Sequence, residues 1–189
     1  MRLFVAITPS AMARDELEAT LAPLRTARSE LRWSSPPSWH VTLAFLGEVD
    51  EKIAARLAVR LERAAGRHPG LDLQIAGGGA FPTAPRARVL WTGIRGDLPK
   101  LEVIASSVQA GARRAGAPPP DEGRRFRPHI TVARCREPVS VTGLVDELKG
   151  FCGSTWPADR VHLIRSHLGP KPWYESIGSW PLRAPEPAA

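Results

Sequence analysis

Two short runs of the chain, 89 residues apart, each set a histidine and a threonine at alternate positions of an apolar, strand-like segment. The runs are SWHVTLAFL, with His40 and Thr42, and FRPHITVAR, with His129 and Thr131. Because side chains alternate between the two faces of a strand, each His–Thr pair shares one face and the intervening aliphatic residues share the other. Burying unpaired polar groups costs free energy, so we expect two strands with one core face and one open face.

Hydrophobic periodicity and capping residues predict the elements around these two runs. Helices are expected to begin after Ser10, Asp50 and Asp97, and a short helix at TGLVDELKG. The glycine- and proline-rich stretch GGGAFPTAP predicts a turn between two strands. The predicted strands span residues 2–7, 38–46, 71–77, 86–94, 126–134, 160–168 and 173–182.

The order of these elements repeats along the chain. Ser10 precedes His40 by 30 residues and Asp97 precedes His129 by 32, and each half reads helix, strand, helix, strand, strand. The pattern predicts an α+β, bilobal fold: two pseudo-symmetric, sheet-containing lobes with helices outside and a central cleft. We expect one domain over residues 1–183, with repeat halves at about 1–96 and 97–183, and a flexible tail at 184–189.

Charge and composition narrow the class of partner. Lysine and arginine total 26 against 19 acidic residues, a formal net charge of +7, which favours a polyanionic partner such as nucleic acid. Only four of the 26 cations are lysines. Arginine suits phosphate through its planar donor fork, but a high-GC coding bias would also replace lysine by arginine. Two cysteines are too few for a disulfide framework, and no apolar run reaches the roughly 18 residues of a membrane span. We therefore expect a cytoplasmic monomer without membrane contact.

Two histidines and two threonines facing one cleft favour chemistry at phosphorus. One neutral imidazole can take a proton from water while a protonated one gives a proton to a leaving oxygen. Threonine hydroxyls can hold the non-bridging oxygens of a bound anion, so in-line displacement needs neither metal nor cofactor. A zinc site at His40 and His129 remains an alternative, although threonine is a poor ligand and no third ligand is evident. These residues alone do not distinguish the acid from the base.

The paired motifs SWHVTLAFLG and RPHITVAR resemble the HxTx signatures of the 2H phosphoesterase superfamily. RLFVAI, HLIRSHL and WYESIGSWPL resemble its RNA 2′,3′-cyclic phosphodiesterase branch, the 2′-5′ RNA ligase-like proteins, and the match runs from Met1 to about Leu182. The resemblance implies a bilobal fold with both motifs facing a central groove. It also implies metal-independent hydrolysis of a 2′,3′-cyclic phosphate at an RNA end to a 2′-phosphomonoester.

The resemblance also implies roles for individual residues. His40 would be the general acid that protonates the departing 3′ oxygen, and His129 the base that activates water. Thr42, Thr131 and Arg134 would bind the substrate phosphate. Strand alternation places Arg134 on the face opposite His129, so a β-bulge or the end of the strand must turn it back.

Other residues are weaker candidates for contacts with RNA. Phe4 and Phe126 could stack on a base or could belong to the core, and Arg124, Arg125 and Arg127 could follow the RNA backbone or form a solvated loop. Alternative functions are a phosphodiesterase acting on small cyclic nucleotides or ADP-ribose cyclic phosphate, a reversible 2′-5′ RNA ligase, and a non-catalytic RNA-end binding module. RNA ends, including those of tRNA fragments, are the expected partners.

Overall fold

The computed structural model of the chain describes residues 1–120, 125–169 and 172–184. Arg124 and residues 185–189 of the expected tail therefore lie outside the described residues. The described elements are β1 (Arg2–Ile7), α1 (Ala11–Ala27), β2 (Arg32–Trp33), β3 (Val41–Glu48), α2 (Glu51–Ala65), β4 (Leu71–Phe81), β5 (Ala87–Gly96), α3 (Leu98–Ala115), β6 (His129–Val139), α4 (Thr142–Lys149), β7 (Cys152–Ala158), β8 (Arg160–His167) and β9 (Trp173–Pro181). None of the helices in these ranges is long and apolar enough to cross a membrane.

Two antiparallel sheets form two lobes. The four-stranded lobe has the order β3-β1-β8-β9, and α2 and α3 pack on one face of its sheet. The five-stranded lobe has the order β2-β6-β5-β4-β7, and α1 and α4 pack on its sheet. Buried apolar side chains of both lobes join in one contiguous core. The expected α+β fold with two sheet-containing lobes is confirmed.

The lobes do not coincide with the sequence halves 1–96 and 97–183. The four-stranded sheet combines β1 and β3 from the first half with β8 and β9 from the second. The repeated unit instead begins one strand earlier, as β1-α1-β3-α2 and as β5-α3-β6-α4. In both units the two strands are antiparallel neighbours, and the helix between them packs against the sheet of the other lobe. The helices α1 and α3 thus tie the lobes together.

The helix boundaries follow the local signals in the sequence. The Ser10 side chain accepts a hydrogen bond from the backbone of Ala13 at 3.1 Å, and Asp50 accepts one from Ile53 at 2.7 Å, so both residues cap their helices. The helix α3 begins where expected, but the Asp97 carboxylate accepts a hydrogen bond from the backbone of Asp72, at 3.1 Å, and does not cap it.

The stretch GGGAFPTAP differs most from its expectation. Its first five residues belong to β4, so the connection to β5 shrinks to residues 82–86. Gly79 is required inside this strand because a Cβ atom there would overlap the indole of Trp91 on the neighbouring strand. The pattern also missed β7, whose residues CGSTWPA lack a continuous apolar alternation, and the two-residue strand β2.

Candidate active site

A cleft of about 360 Å³ carries the first His–Thr pair. His40 immediately precedes β3, and Val41 and Leu43 are 0% and 2% exposed, so the alternation fixes the strand in the core and turns His40 and Thr42 to the cleft. Arg134 of the other lobe reaches the same cleft. His129 lies close enough that its charge would disfavour a proton on His40. The structure therefore brings both histidines and Arg134 into one site.

The same hydrogen bond orients both imidazoles. Nδ1 of His40 lies 2.7 Å from the carbonyl oxygen of Ser38, and Nδ1 of His129 lies 2.6 Å from that of Arg127. A carbonyl oxygen only accepts, so each Nδ1 carries the proton and donates it. The neutral rings consequently keep Nε2 as the free base, and Nε2 is the nitrogen available to exchange a proton with a substrate.

The environment lowers the pKa of both histidines. The pKa of His40 is lowered from an ordinary 6.5 to about 4, and burial is the largest cause. The positive charges of Arg134 and His129 lower this pKa further, whereas the hydrogen bond to the Ser38 carbonyl raises it. Burial and Arg134 lower the pKa of His129 in the same way, against the Arg127 carbonyl. Both imidazoles are therefore neutral at pH 7 when no anion is bound, so a base is present and an acid requires a bound negative charge.

Aromatic rings hold the first histidine in place. The His40 ring lies 4.5 Å from the ring of Phe4 and 5.2 Å, edge to face, from that of Tyr174. Phe4 is only 4% exposed, so its ring supports the imidazole and offers little face to a base. Phe126 is partly buried and packs against the main core. The expected stacking role of these two phenylalanines stays a prediction, and the geometry favours support for Phe4.

A matching pair of rings surrounds the second histidine. Phe81 lies edge to face on His129 at 5.1 Å, and Trp91 lies at 6.0 Å. Sequence reasoning missed Phe81, and it treated Trp91 only as core or groove wall. Tyr174 beside His40 was also missed. None of these residues falls in a recognisable motif, since each reaches its histidine through the pairing of distant strands.

A β-bulge brings Arg134 to the face of His129. Thr131 pairs with Trp91, but the next pair joins Ala133 to Leu90, so β6 holds an extra residue at this point. Val132 and Ala133 are consequently both buried, and Arg134 turns toward the cleft. The bulge that the expected phosphate-binding role of Arg134 requires is present.

The strand β3 contains an equivalent bulge. Thr42 pairs with Ala6, but the next pair joins Ala44 to Val5, and Leu43 and Ala44 are both buried. Phe45 therefore turns to the cleft five residues after His40, as Arg134 does five residues after His129. Sequence reasoning missed Phe45, although this equal spacing in the two motifs would have found it.

Ser34 connects the two motif strands. Its hydroxyl lies 2.9 Å and 3.0 Å from the carbonyl oxygens of Thr131 and Val132, to which it donates, and it accepts a hydrogen bond from the indole of Trp39 at 3.2 Å. Trp39 precedes His40 and is 1% exposed. One hydroxyl thus links the bulge of β6 to the residue beside the first histidine, and no sequence pattern indicated this.

The hydroxyls of Thr42 and Thr131 are free to bind a ligand. Across residues 1–120, 125–169 and 172–184 neither has a protein hydrogen-bond partner, and both side chains are partly exposed. The same ranges contain no cluster of three or more histidine, cysteine or carboxylate side chains that could hold a metal ion. Arg125 and Arg127 are exposed, and Arg127 contributes its carbonyl to His129.

The low pKa of His40 makes stability depend on pH. Between pH 4 and 6.5 the unfolded chain binds a proton that folded His40 does not, so we expect the free energy of unfolding to fall as the pH drops below 6.5. The loss attributable to His40 is at most about 3 kcal/mol. Urea unfolding at pH 7 and pH 4.5 measures it, and the difference should shrink in His40→Gln. An undiminished difference in that variant would assign the effect to other groups.

The chain is similar to one known family and to several curated proteins. The family model described as LigT like Phosphoesterase matches residues 7–91 and 96–174. The RNA 2′,3′-cyclic phosphodiesterase of Aeropyrum pernix is 34% identical over 74% of this chain and 73% of its own. The protein of the same name from Archaeoglobus fulgidus is 33% identical over 94% of this chain and 98% of its own.

Solved structures give the same relationship. The protein TT0787 of Thermus thermophilus superposes with a TM-score of 0.81 at 27% identity, over 98% of this chain and all of that one (100%). LigT of Escherichia coli in complex with 3′-AMP superposes with a TM-score of 0.74 at 26% identity, over 96% and 97% of the two chains.

Proposed function

Because the chain belongs to the family of LigT-like phosphoesterases, we propose that it hydrolyses 2′,3′-cyclic phosphate ends of RNA to 2′-phosphomonoesters. The chain is accordingly an enzyme, a phosphoric diester hydrolase. The observation that carries the proposal is the pair of imidazoles, each with Nδ1 bonded to a carbonyl, beside the guanidinium of Arg134. The relative from Archaeoglobus fulgidus, which is named for this activity, aligns with 94% of this chain.

In the proposed reaction His129 Nε2 takes a proton from water as the water oxygen attacks phosphorus. The bond from phosphorus to O3′ breaks, and His40 Nε2 gives its proton to the departing oxygen, which leaves a 2′-phosphomonoester and a 3′-hydroxyl. Thr42 and Thr131 donate hydrogen bonds to the non-bridging oxygens. Arg134 neutralises the charge that develops there, and such preorganised electrostatic stabilisation is the largest contribution in many enzymes.

The charge of the substrate supplies the missing acid. The low pKa of His40 reflects burial and the nearby positive charges of Arg134 and His129. A cyclic phosphate carries one negative charge, and an anion next to an imidazole favours its protonated form. Substrate binding therefore raises the pKa of His40 toward the range in which it can act as an acid. The proton is held only when there is a leaving group to receive it.

Product analysis tests the proposal. A 5′-labelled oligoribonucleotide with a 2′,3′-cyclic phosphate end is expected to give only the 2′-phosphomonoester, at a rate that EDTA leaves unchanged. Synthetic 2′- and 3′-phosphate standards identify the product, and the same oligonucleotide with a linear 3′-phosphate is the unreactive control. Capture of the cyclic end without product over hours would instead indicate a binding module, and joining to a 5′-hydroxyl RNA would indicate a ligase.

A second candidate substrate is a small cyclic nucleotide. The cleft of about 360 Å³ lies at the lower end of the range for small-molecule sites, and one nucleotide would occupy much of it. Turnover of a nucleoside 2′,3′-cyclic phosphate, measured beside that of the oligoribonucleotide, separates the two candidates. A lower kcat/KM on the oligonucleotide than on the mononucleotide would favour the small substrate.

We assign the RNA end, including the ends of tRNA fragments, as the substrate. We also propose that the protein acts as a monomer in the cytoplasm.

A further inference from the structure

We propose that Arg2, held over the ring of Phe45, forms a second phosphate site that binds the phosphodiester preceding the terminal nucleotide of an RNA strand. The inference rests on the proposed function, and it identifies the contact by which the site would distinguish an RNA end from a mononucleotide. Arg2 lies outside both His–Thr motifs, on the first strand of the four-stranded lobe. It lines the same cleft as His40 and Arg134.

The two motif strands β3 and β6 are pseudo-symmetric. The bulges of β3 and β6 turn the fifth residue after each histidine toward the cleft. In β6 that residue is Arg134, a cation in its own right. In β3 it is Phe45, and the guanidinium carbon of Arg2 lies 4.9 Å from the centroid of its ring. Each lobe thus presents one guanidinium to the cleft from the bulged part of its motif strand. In the five-stranded lobe it belongs to Arg134 itself, and in the four-stranded lobe it belongs to Arg2, which lies over the ring of Phe45.

Arg2 is held in position, and its positive charge remains available to a ligand. A cation over an aromatic face at this distance is attracted by the ring, which restricts the long side chain without neutralising it. The residue opposite Arg2 on β3 is Glu48, and its carboxylate lies 3.3 Å from the amino group of Met1. No acidic side chain lines the cleft in the part of the chain that the structure describes.

The chemistry of the site indicates what Arg2 binds. The cyclic phosphate at the RNA end has one negative charge, and the two threonines, the two histidines and Arg134 already surround it. A planar guanidinium matches the oxygens of a phosphate group, and a polynucleotide offers a second phosphate one nucleotide further along. A nucleoside 2′,3′-cyclic phosphate has no such group. Arg2 therefore favours the strand over the mononucleotide and leaves the reacting phosphate untouched.

Steady-state kinetics on two substrates test this role. In Arg2→Gln, kcat/KM on a cyclic-phosphate-ended tetranucleotide should fall about tenfold, the size expected for one charge-assisted contact, and kcat/KM on the cyclic mononucleotide should stay within about twofold. The magnitude of the logarithmic salt slope for the tetranucleotide should drop by about 0.7, the value for one single-strand phosphate contact. Phe45→Leu should weaken the same preference. Arg63→Gln, at an exposed site on the last turn of α2, is the matched control.

Equal losses on both substrates in Arg2→Gln, or no loss on either, would overturn the proposal, as would an equal loss in Arg63→Gln. Fluorescence anisotropy measures the binding of the 2′-phosphate tetranucleotide and needs no turnover. The salt slope of this binding should change in Arg2→Gln by the same amount. If the unmodified protein turns over neither substrate, the proposed function fails, while the anisotropy measurement still decides the role of Arg2.

Discussion

Replacing either His40 or His129 with alanine is expected to lower kcat/KM on a cyclic-phosphate end by about 10²- to 10⁴-fold. Proton transfer by a positioned side chain contributes this range, and in the proposed reaction each imidazole performs one of the two transfers. The double variant should be little worse than the poorer single variant, since residues that act as a unit do not lose activity additively. Initial rates with the labelled oligoribonucleotide measure the effect.

A substrate with sulfur in place of the bridging 3′ oxygen separates the acid from the base. Its leaving group needs no proton, so His40→Ala should recover most of its activity on this substrate and His129→Ala should recover none. His68→Ala is a matched control, because that imidazole lies away from the cleft and bonds to the Ser107 hydroxyl at 2.7 Å. Recovery in His129→Ala instead would exchange the two roles. Full activity of both single variants would contradict two-histidine catalysis altogether.

Arg134→Gln is expected to lower kcat by about 10²- to 10³-fold, as the removal of one donor to a developing oxyanion commonly does. The same change should raise the pKa of both His40 and His129, because the positive charge of Arg134 disfavours their protonated forms. The acid limb of the kcat/KM profile should therefore move to higher pH. NMR titration of the two imidazoles measures the shift without substrate.

Arg134→Lys isolates the charge from the geometry. It keeps a cation near both histidines, so the pKa of each should remain low, but it loses the two parallel hydrogen bonds that a guanidinium forms with a phosphate. We expect its kcat to lie between those of the unmodified protein and Arg134→Gln. Arg95→Gln, at an exposed end of β5, should change neither quantity. Unaltered histidine titration in Arg134→Gln would show that Arg134 does not act on these imidazoles.

Local signals in the sequence predicted much of the fold. Ser10 and Asp50 cap their helices because a capping side chain needs only the next turn of the same segment. The two His–Thr faces follow from strand alternation, which is equally local. The need for a bulge before Arg134 also followed from parity alone, because residues 129 and 134 of a regular strand face opposite sides.

Long-range pairing accounts for what the sequence did not predict. Phe4 reaches His40 through the pairing of β1 with β3, and Tyr174 reaches it through β8 and β9, more than a hundred residues along the chain. The repeat halves were predicted as consecutive segments, but the four-stranded sheet takes strands from both ends of the chain. Periodicity describes how a strand faces its neighbours and does not choose those neighbours. Ser34 shows the same limit, since two of its three partners, the carbonyl groups of Thr131 and Val132, lie on β6, 97 and 98 residues along the chain.

The order of strands in the two sheets sets an order of events during biosynthesis. Every strand of the five-stranded lobe has been synthesised by Ala158, but β1 must wait for β8, and β8 for β9, before the four-stranded sheet is complete. On the ribosome, where the N-terminal part of a chain emerges first, Leu3 and Val5 remain without one neighbouring strand until residues 160–167 appear. His40 therefore acquires its buried setting among the last steps of folding. A nascent chain that stops before β8 would carry both histidines and still lack the buried environment that lowers the pKa of His40.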